Sequence, residues 1–163
     1  MRANKTALWL RIAIANVFIV ALLGTIMRFK IGYSFPYLDQ KHLQHAHSHF
    51  AFIGWITHIL FALMTDSLAR YLPAVRFRKY NLLILFNVIC AYGMLFSFAA
   101  QGYGPVSIAL SCVSIVIAWI FAWVYIADLW SARARLRTCS PASPRPTSRP
   151  GARPRARTRG ARP

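Results

Sequence analysis

Four long runs of apolar residues divide the first 130 positions of this chain, and they restrict its fold more than any other feature. They cover residues 7–27, 45–68, 81–100 and 106–130. A helix needs about 20 mostly apolar residues to cross the hydrocarbon core of a bilayer. The purely apolar part of the second run, residues 50–64, is short for this, so we expect that helix to extend back through the preceding histidines. The sequence therefore predicts an all-α, polytopic membrane protein whose four transmembrane helices form one domain, residues 1–130, in contact with the lipid bilayer.

The charge of the chain is unevenly distributed. A formal charge of +17 is typical of nucleic-acid-binding proteins, but ten of the twenty basic residues follow Trp130. The other ten fall between the apolar runs, as topology signals do, and the three acids are Asp39, Asp66 and Asp128. The body of the chain is therefore not expected to bind nucleic acid.

The cysteines and the N-terminus exclude two further classes. Cys90, Cys112 and Cys139 form no CxxC, no CxxCH and no paired framework, which argues against covalent haem attachment and thiolate zinc sites. Basic residues precede the first apolar run, as in a secretory signal, but no small-x-small cleavage site closes that run before Arg28. The first run is predicted to be an uncleaved helix.

The basic residues of the connections predict the topology, because cytoplasmic loops collect Lys and Arg. One side carries Arg2, Lys5, Arg11, Arg70, Arg76, Arg78 and Lys79, and the other carries Arg28, Lys30 and Lys41. We therefore expect both termini to be cytoplasmic and the histidine cluster to face outward, in a bacterial inner membrane.

The segment after Trp130, residues 131–163, changes abruptly to Arg, Pro, Ser, Ala and Gly. Such a composition cannot bury a core and predicts a disordered tail. It is either a basic tail attracted to anionic lipid headgroups or frame-shifted coding from GC-rich DNA. Arginine without lysine beside alanine and proline favours the frameshift, and no function is assigned to this segment.

Five histidines within seventeen residues form the most probable functional site. At about 100° per residue, His42, His45 and His49 share one stripe of a helix, while His47 and His58 share the nearly opposite one. An ionisable group inside a spanning segment is by default a functional-site hypothesis. Imidazole narrows the chemistry to metal or haem-iron ligation and to proton transfer.

The histidine spacing leaves several interpretations open. A pair at i, i+4, such as His45 and His49, suits zinc or copper with ligands from elsewhere, whereas a single axial histidine suits haem. Interfacial histidines that cap a helix are a third interpretation, and His58 fits a hydrogen-bonded core histidine equally well. Asn16, Asn87 and Gln101 are candidates for hydrogen bonds between helices.

The stretch RFKIGYSFPYLDQKHLQHAHSHFAFIGW, residues 28–55, resembles the start of the second helix in subunit I of haem-copper oxidases, a superfamily that includes cytochrome c oxidase and nitric oxide reductase large subunits. The similarity covers about the first 130 residues. The resemblance implies that His45 and His49 ligate haem, with His47 as a further haem, copper or proton-path residue and with His42 and His58 as additional metal candidates. The HAHSHFAFIGW run also resembles haem- and copper-containing membrane proteins of the nitric-oxide response.

The chain departs from both relatives in its number of spanning helices. In the oxidase superfamily the remaining haem and copper ligands come from later helices, so the resemblance implies an N-terminal part, truncated where the tail begins. Electron transfer or respiratory gas reduction is then expected only of a full-length form. A metal carrier or sensor, and a non-catalytic accessory subunit that joins oxidase subunits or copies of itself, are the alternative functions.

Overall fold

The computed structural model describes residues 2–33, 36–72 and 77–138, and almost all of them are helical. The elements are α1 (Arg2–Gly32), α2 (Gln40–His49), a π-helical segment (Phe50–Thr57), α3 (His58–Tyr71), α4 (Phe77–Gln101) and α5 (Pro105–Thr138). Since α2, the π segment and α3 are continuous, we call them together the second helix. Four helices are long and apolar enough to cross a membrane, which confirms the predicted fold class.

Each helix extends beyond the apolar run that predicts it. The second helix begins at Gln40 rather than at residue 45, so all five histidines lie on it. Helix α5 continues to Thr138, and eight residues assigned to the tail are therefore helical. Alanine, leucine and arginine in this stretch are good helix formers, which accounts for the extension. The predicted disorder of residues 139–163 lies outside the described residues.

The helices are packed in chain order. The second helix contacts α1 and α4, and α4 contacts α5. The main core lies in the half of the bundle that holds α3, where Phe61 stacks on Phe121 of α5 with ring centroids 3.8 Å apart. We call the end where the second helix begins the histidine end, and the end where α4 begins the opposite end.

Two ion pairs lie toward the opposite end of the bundle. Asp128 of α5 accepts from Lys79 Nζ at 2.8 Å and from the Tyr80 hydroxyl at 2.7 Å, which joins α5 to the first turn of α4. Arg70 and Asp66 pair along one face of α3, with 2.7 Å between Nη2 and Oδ2. The first pair therefore links two helices, and the second lies within one.

The π segment is the irregular part of the second helix. Asn87 of α4 donates from Nδ2 to the carbonyl of Ile53 at 3.1 Å, and Asn16 of α1 donates to the next carbonyl, that of Gly54. Both asparagine side chains are fully buried. Asn16 also accepts from the Tyr92 hydroxyl at 2.7 Å, so it connects α1, the π segment and α4. The predicted hydrogen bonds between helices are confirmed for Asn16 and Asn87, whereas Gln101 is exposed at the last position of α4.

A glycine is required at position 54 by the packing of the π segment. A Cβ added there would lie 2.8 Å from a ring carbon of Phe50, one turn earlier and itself buried. The absence of a side chain lets this ring lie along its own helix.

We expect Asn16→Ala to lower the free energy of unfolding by about 1 kcal/mol, because hydrogen bonds between membrane helices contribute on this scale and two are lost. Tyr92→Phe removes only one of them and should have a smaller effect. Reversible unfolding in mixed detergent micelles measures both. Thr25→Ala is the matched control, since the Thr25 hydroxyl bonds only within α1. An Asn16→Ala effect no larger than that of the control would contradict this role.

Candidate functional site: the histidine end of the second helix

The second helix begins with an aspartate cap. Asp39 has an extended backbone, and its Oδ1 accepts from the backbone N–H of Lys41 at 2.8 Å and of His42 at 2.9 Å. These two groups have no partner within the first turn, so the cap stabilises it. The bond from the His42 N–H holds the pKa of the Asp39 carboxyl below its ordinary value. The cap therefore sets where the histidine-bearing helix begins.

His42 lies against the turn between α4 and α5. Gly102 in this turn has a φ of +62°, and a Cβ there would lie 2.6 Å from Cδ2 of the His42 ring. The backbone conformation and the close ring both require glycine. The buried Ser107 hydroxyl donates to the Gly102 carbonyl at 2.7 Å, which holds the turn in place.

His45 and His49 face two aromatic side chains from the same region. His49 stacks on Phe98 with ring centroids 4.3 Å apart, and His45 meets the ring of Tyr103 edge-on at 4.5 Å. Phe98 is fully buried, whereas Tyr103 is exposed. The stripe predicted from helical phase is therefore present, and it faces α4 and the turn that follows α4.

His47 and His58 share the nearly opposite stripe, as predicted, and in the structure this stripe faces α1. A Cβ added at Gly24 of α1 would lie 3.4 Å from Cε1 of His47. His58 is fully buried, and its Nε2 lies 3.0 Å from the backbone carbonyl of Trp9. Because a carbonyl only accepts, His58 donates from Nε2. It is a hydrogen-bonded core histidine, separated from the other four by the π segment.

Three ring nitrogens are buried and without a hydrogen-bond partner in the described part of the chain: His45 Nε2, His47 Nδ1 and His58 Nδ1. A buried polar group without a partner is costly, and in lipid no water offsets that cost. Such nitrogens are therefore the positions at which a ligand would contribute most. His45 and His47 lie at the histidine end, on opposite faces of one helix.

The histidines do not converge on one point. Among residues 2–33, 36–72 and 77–138, no three His, Cys, Asp or Glu side chains are grouped so that they could hold a metal ion. Cys90 is buried in the core, Cys112 is exposed on α5, and Cys139 lies outside the described residues. Neighbouring histidines of the second helix face different helices, His47 toward α1 and His45 toward α4. The geometry therefore favours a ligand that binds one imidazole over a metal ion that binds three.

Comparison with known proteins gives no relative: no family model, no curated protein and no solved structure matches the chain.

Sequence reasoning did not identify the aromatic partners of the histidines or the helix cap. Phe98 and Tyr103 lie about fifty residues after His45, and only the packing of α2 on α4 brings them together. Asp39 had a local signal, since an aspartate just before a helix is a preferred N-cap. That signal was missed because the helix was expected to start at residue 45.

The Asp39 cap predicts a pH-dependent helix end. A carboxyl with a lowered pKa stabilises the fold above its unfolded pKa, and this contribution is lost as the pH falls through the lower, folded value, below about pH 4. We expect the Lys41 and His42 amides to lose hydrogen-exchange protection in that range. Asp39→Asn keeps an uncharged cap and should show no such loss relative to intrinsic exchange. Identical pH profiles for the two proteins would refute the carboxylate's role.

Proposed function

We propose that this chain is a haem-binding integral membrane protein similar to subunit I of haem-copper oxidases, with His45 as the first candidate for axial ligand. The observation that carries the proposal is the buried, unpartnered Nε2 of His45 at the histidine end of a spanning helix. In this proposal the protein lies in a bacterial inner membrane with both termini cytoplasmic, as the Lys and Arg distribution favours.

The residues around His45 fit an axial ligand. Neutral imidazole ligates haem iron through one ring nitrogen, and this nitrogen has no competing hydrogen bond in the described structure. Phe98 and Tyr103 supply aromatic surface on the same side of the helix. His49 shares this surface one turn further on and is the second candidate.

His47 is the third candidate, on the face toward α1, where its Nδ1 is also unpartnered. Copper remains part of the proposal only with ligands from outside the described residues, because these hold no group of three ligands. The same holds for a metal carrier or sensor.

The surrounding chain positions these rings. The Asp39 cap fixes the first turn of the second helix. Gly102 lets the turn between α4 and α5 lie close to the His42 ring. The asparagines at the π segment hold the deeper part of the second helix between α1 and α4. A bound haem would supply one-electron redox chemistry. Electron transfer or reduction of a respiratory gas is proposed for an assembly in which further helices, as oxidase subunits or further chain, complete the site.

The test is the reduced-minus-oxidised absorbance spectrum of protein purified from haem-supplied cells. We expect a Soret band and an alpha band, and at least a tenfold weaker haem affinity in His45→Ala, because the iron–nitrogen bond is lost. His42→Ala is the matched control and should retain the spectrum, since its ring packs on Gly102. Circular dichroism of each variant checks that the helices remain.

Two results would overturn haem binding. One is a wild-type protein without either band. The other is a spectrum that is unchanged in His45→Ala, His47→Ala and His49→Ala. Elemental analysis of the same preparation for iron, copper and zinc separates the alternatives, because stoichiometric copper or zinc without iron would favour a metal carrier.

A further inference from the structure

All three acidic side chains of the chain are already engaged. Asp39 accepts from two backbone N–H groups, Asp66 pairs with Arg70, and Asp128 pairs with Lys79. The sequence contains no other aspartate or glutamate. Any further cation that needs a counter-charge at a helix end must therefore find it outside these side chains.

Arg78 is such a cation. It is exposed in the first turn of α4, and within the described residues it forms neither an ion pair nor a hydrogen bond. Its neighbour Lys79 is held by Asp128, and Arg70 is held by Asp66. Lys79 and Arg70 are thus neutralised, whereas Arg78 has no counter-charge within the described residues.

A groove of about 340 Å³ between α1 and α4 starts at Arg78. Arg78 and Asn81 form its polar end, and Leu82 and Leu85 continue it along α4. From position 78 to 85 a helix advances by about 10 Å, which takes the groove from the helix end into the hydrocarbon depth. Leu8 and Trp9 of α1 form the facing wall.

The polar end of the groove offers donors. Asn81 accepts from Trp9 Nε1 through its Oδ1 at 3.0 Å, so the amide nitrogen is oriented as a donor. Arginine presents a planar set of N–H groups that matches the oxygens of a phosphate. A tryptophan beside them is typical of the level of the lipid headgroups.

We propose that this groove binds one anionic phospholipid, with the headgroup phosphate on Arg78 and Asn81 and an acyl chain along Leu82, Leu85 and Leu8. The unpaired guanidinium of Arg78 favours a ligand with a negative charge. The leucines beyond it favour a ligand that also carries a hydrocarbon chain. The net charge of +7 for residues 1–130, from ten basic and three acidic side chains, favours an anionic headgroup. The site is independent of the histidine end and of haem.

The experiment measures lipid retention by native mass spectrometry of the full chain released from nanodiscs that contain equal amounts of phosphatidylglycerol and phosphatidylcholine. We expect one phosphatidylglycerol to be retained per chain. Arg78→Gln should weaken its retention about fivefold, the effect of one basic residue at a membrane surface. Arg78→Lys should keep most of it.

Arg70→Gln is the matched control, because it removes the same charge from the same end but from a cation already paired with Asp66. Retention in this variant should equal that of the wild type, and added inorganic phosphate should not displace the lipid. The proposal is overturned if Arg78→Gln behaves as wild type, if Arg70→Gln weakens retention equally, or if phosphatidylcholine is retained as well as phosphatidylglycerol. Displacement by inorganic phosphate would also overturn it, since the acyl chain would then contribute nothing.

Discussion

Inside a bilayer the backbone groups of a helix have no water to bond, so any departure from regular α-helix must be compensated by the protein. The second helix departs from it over Phe50–Thr57, at the depth where compensation is hardest. Asn16 and Asn87 supply it from the two flanking helices, to successive carbonyls. The packing of α1 and α4 on the second helix is therefore tied to the irregular segment, and the position of the histidine end depends on both.

The two ends of the bundle use polar groups differently. At the opposite end, Asp128 of α5 pairs with Lys79 of α4, Asp66 pairs with Arg70 within α3, and Arg78 borders a groove. At the histidine end, His45 Nε2 and His47 Nδ1 are buried without partners in the described residues, and Phe98 and Tyr103 lie beside His45. The first arrangement is suited to anchoring the protein in its membrane. The second leaves the desolvation cost of these nitrogens uncompensated, as it is for Thr65 Oγ1 and Asn87 Oδ1 elsewhere in the described bundle.

The sequence was sufficient for those features that depend on periodicity and composition. Four apolar runs predicted four spanning helices, and helical phase separated His45 and His49 from His47 and His58. It was not sufficient for features that depend on contacts between distant residues. The π segment was not predicted, and two of its carbonyls are bonded by asparagines from other helices. The extra turns of the helices were missed because polar residues can remain helical beyond the apolar part.

The π segment also decides where the second helix tolerates a change in length. A π turn closes its hydrogen-bonded ring with one more residue than an α turn. Loss of a single codon between positions 50 and 57 would let the segment relax toward an α-helix and leave the residues before it facing nearly as they do now. The same loss in a regular α-helical part, before Phe50 on one side or after Thr57 on the other, has no extra residue to absorb it and would turn everything before it by about 100°. The face that each histidine presents is thus set by a residue count as much as by residue type, and the π segment is where that count can fall by one with the least effect.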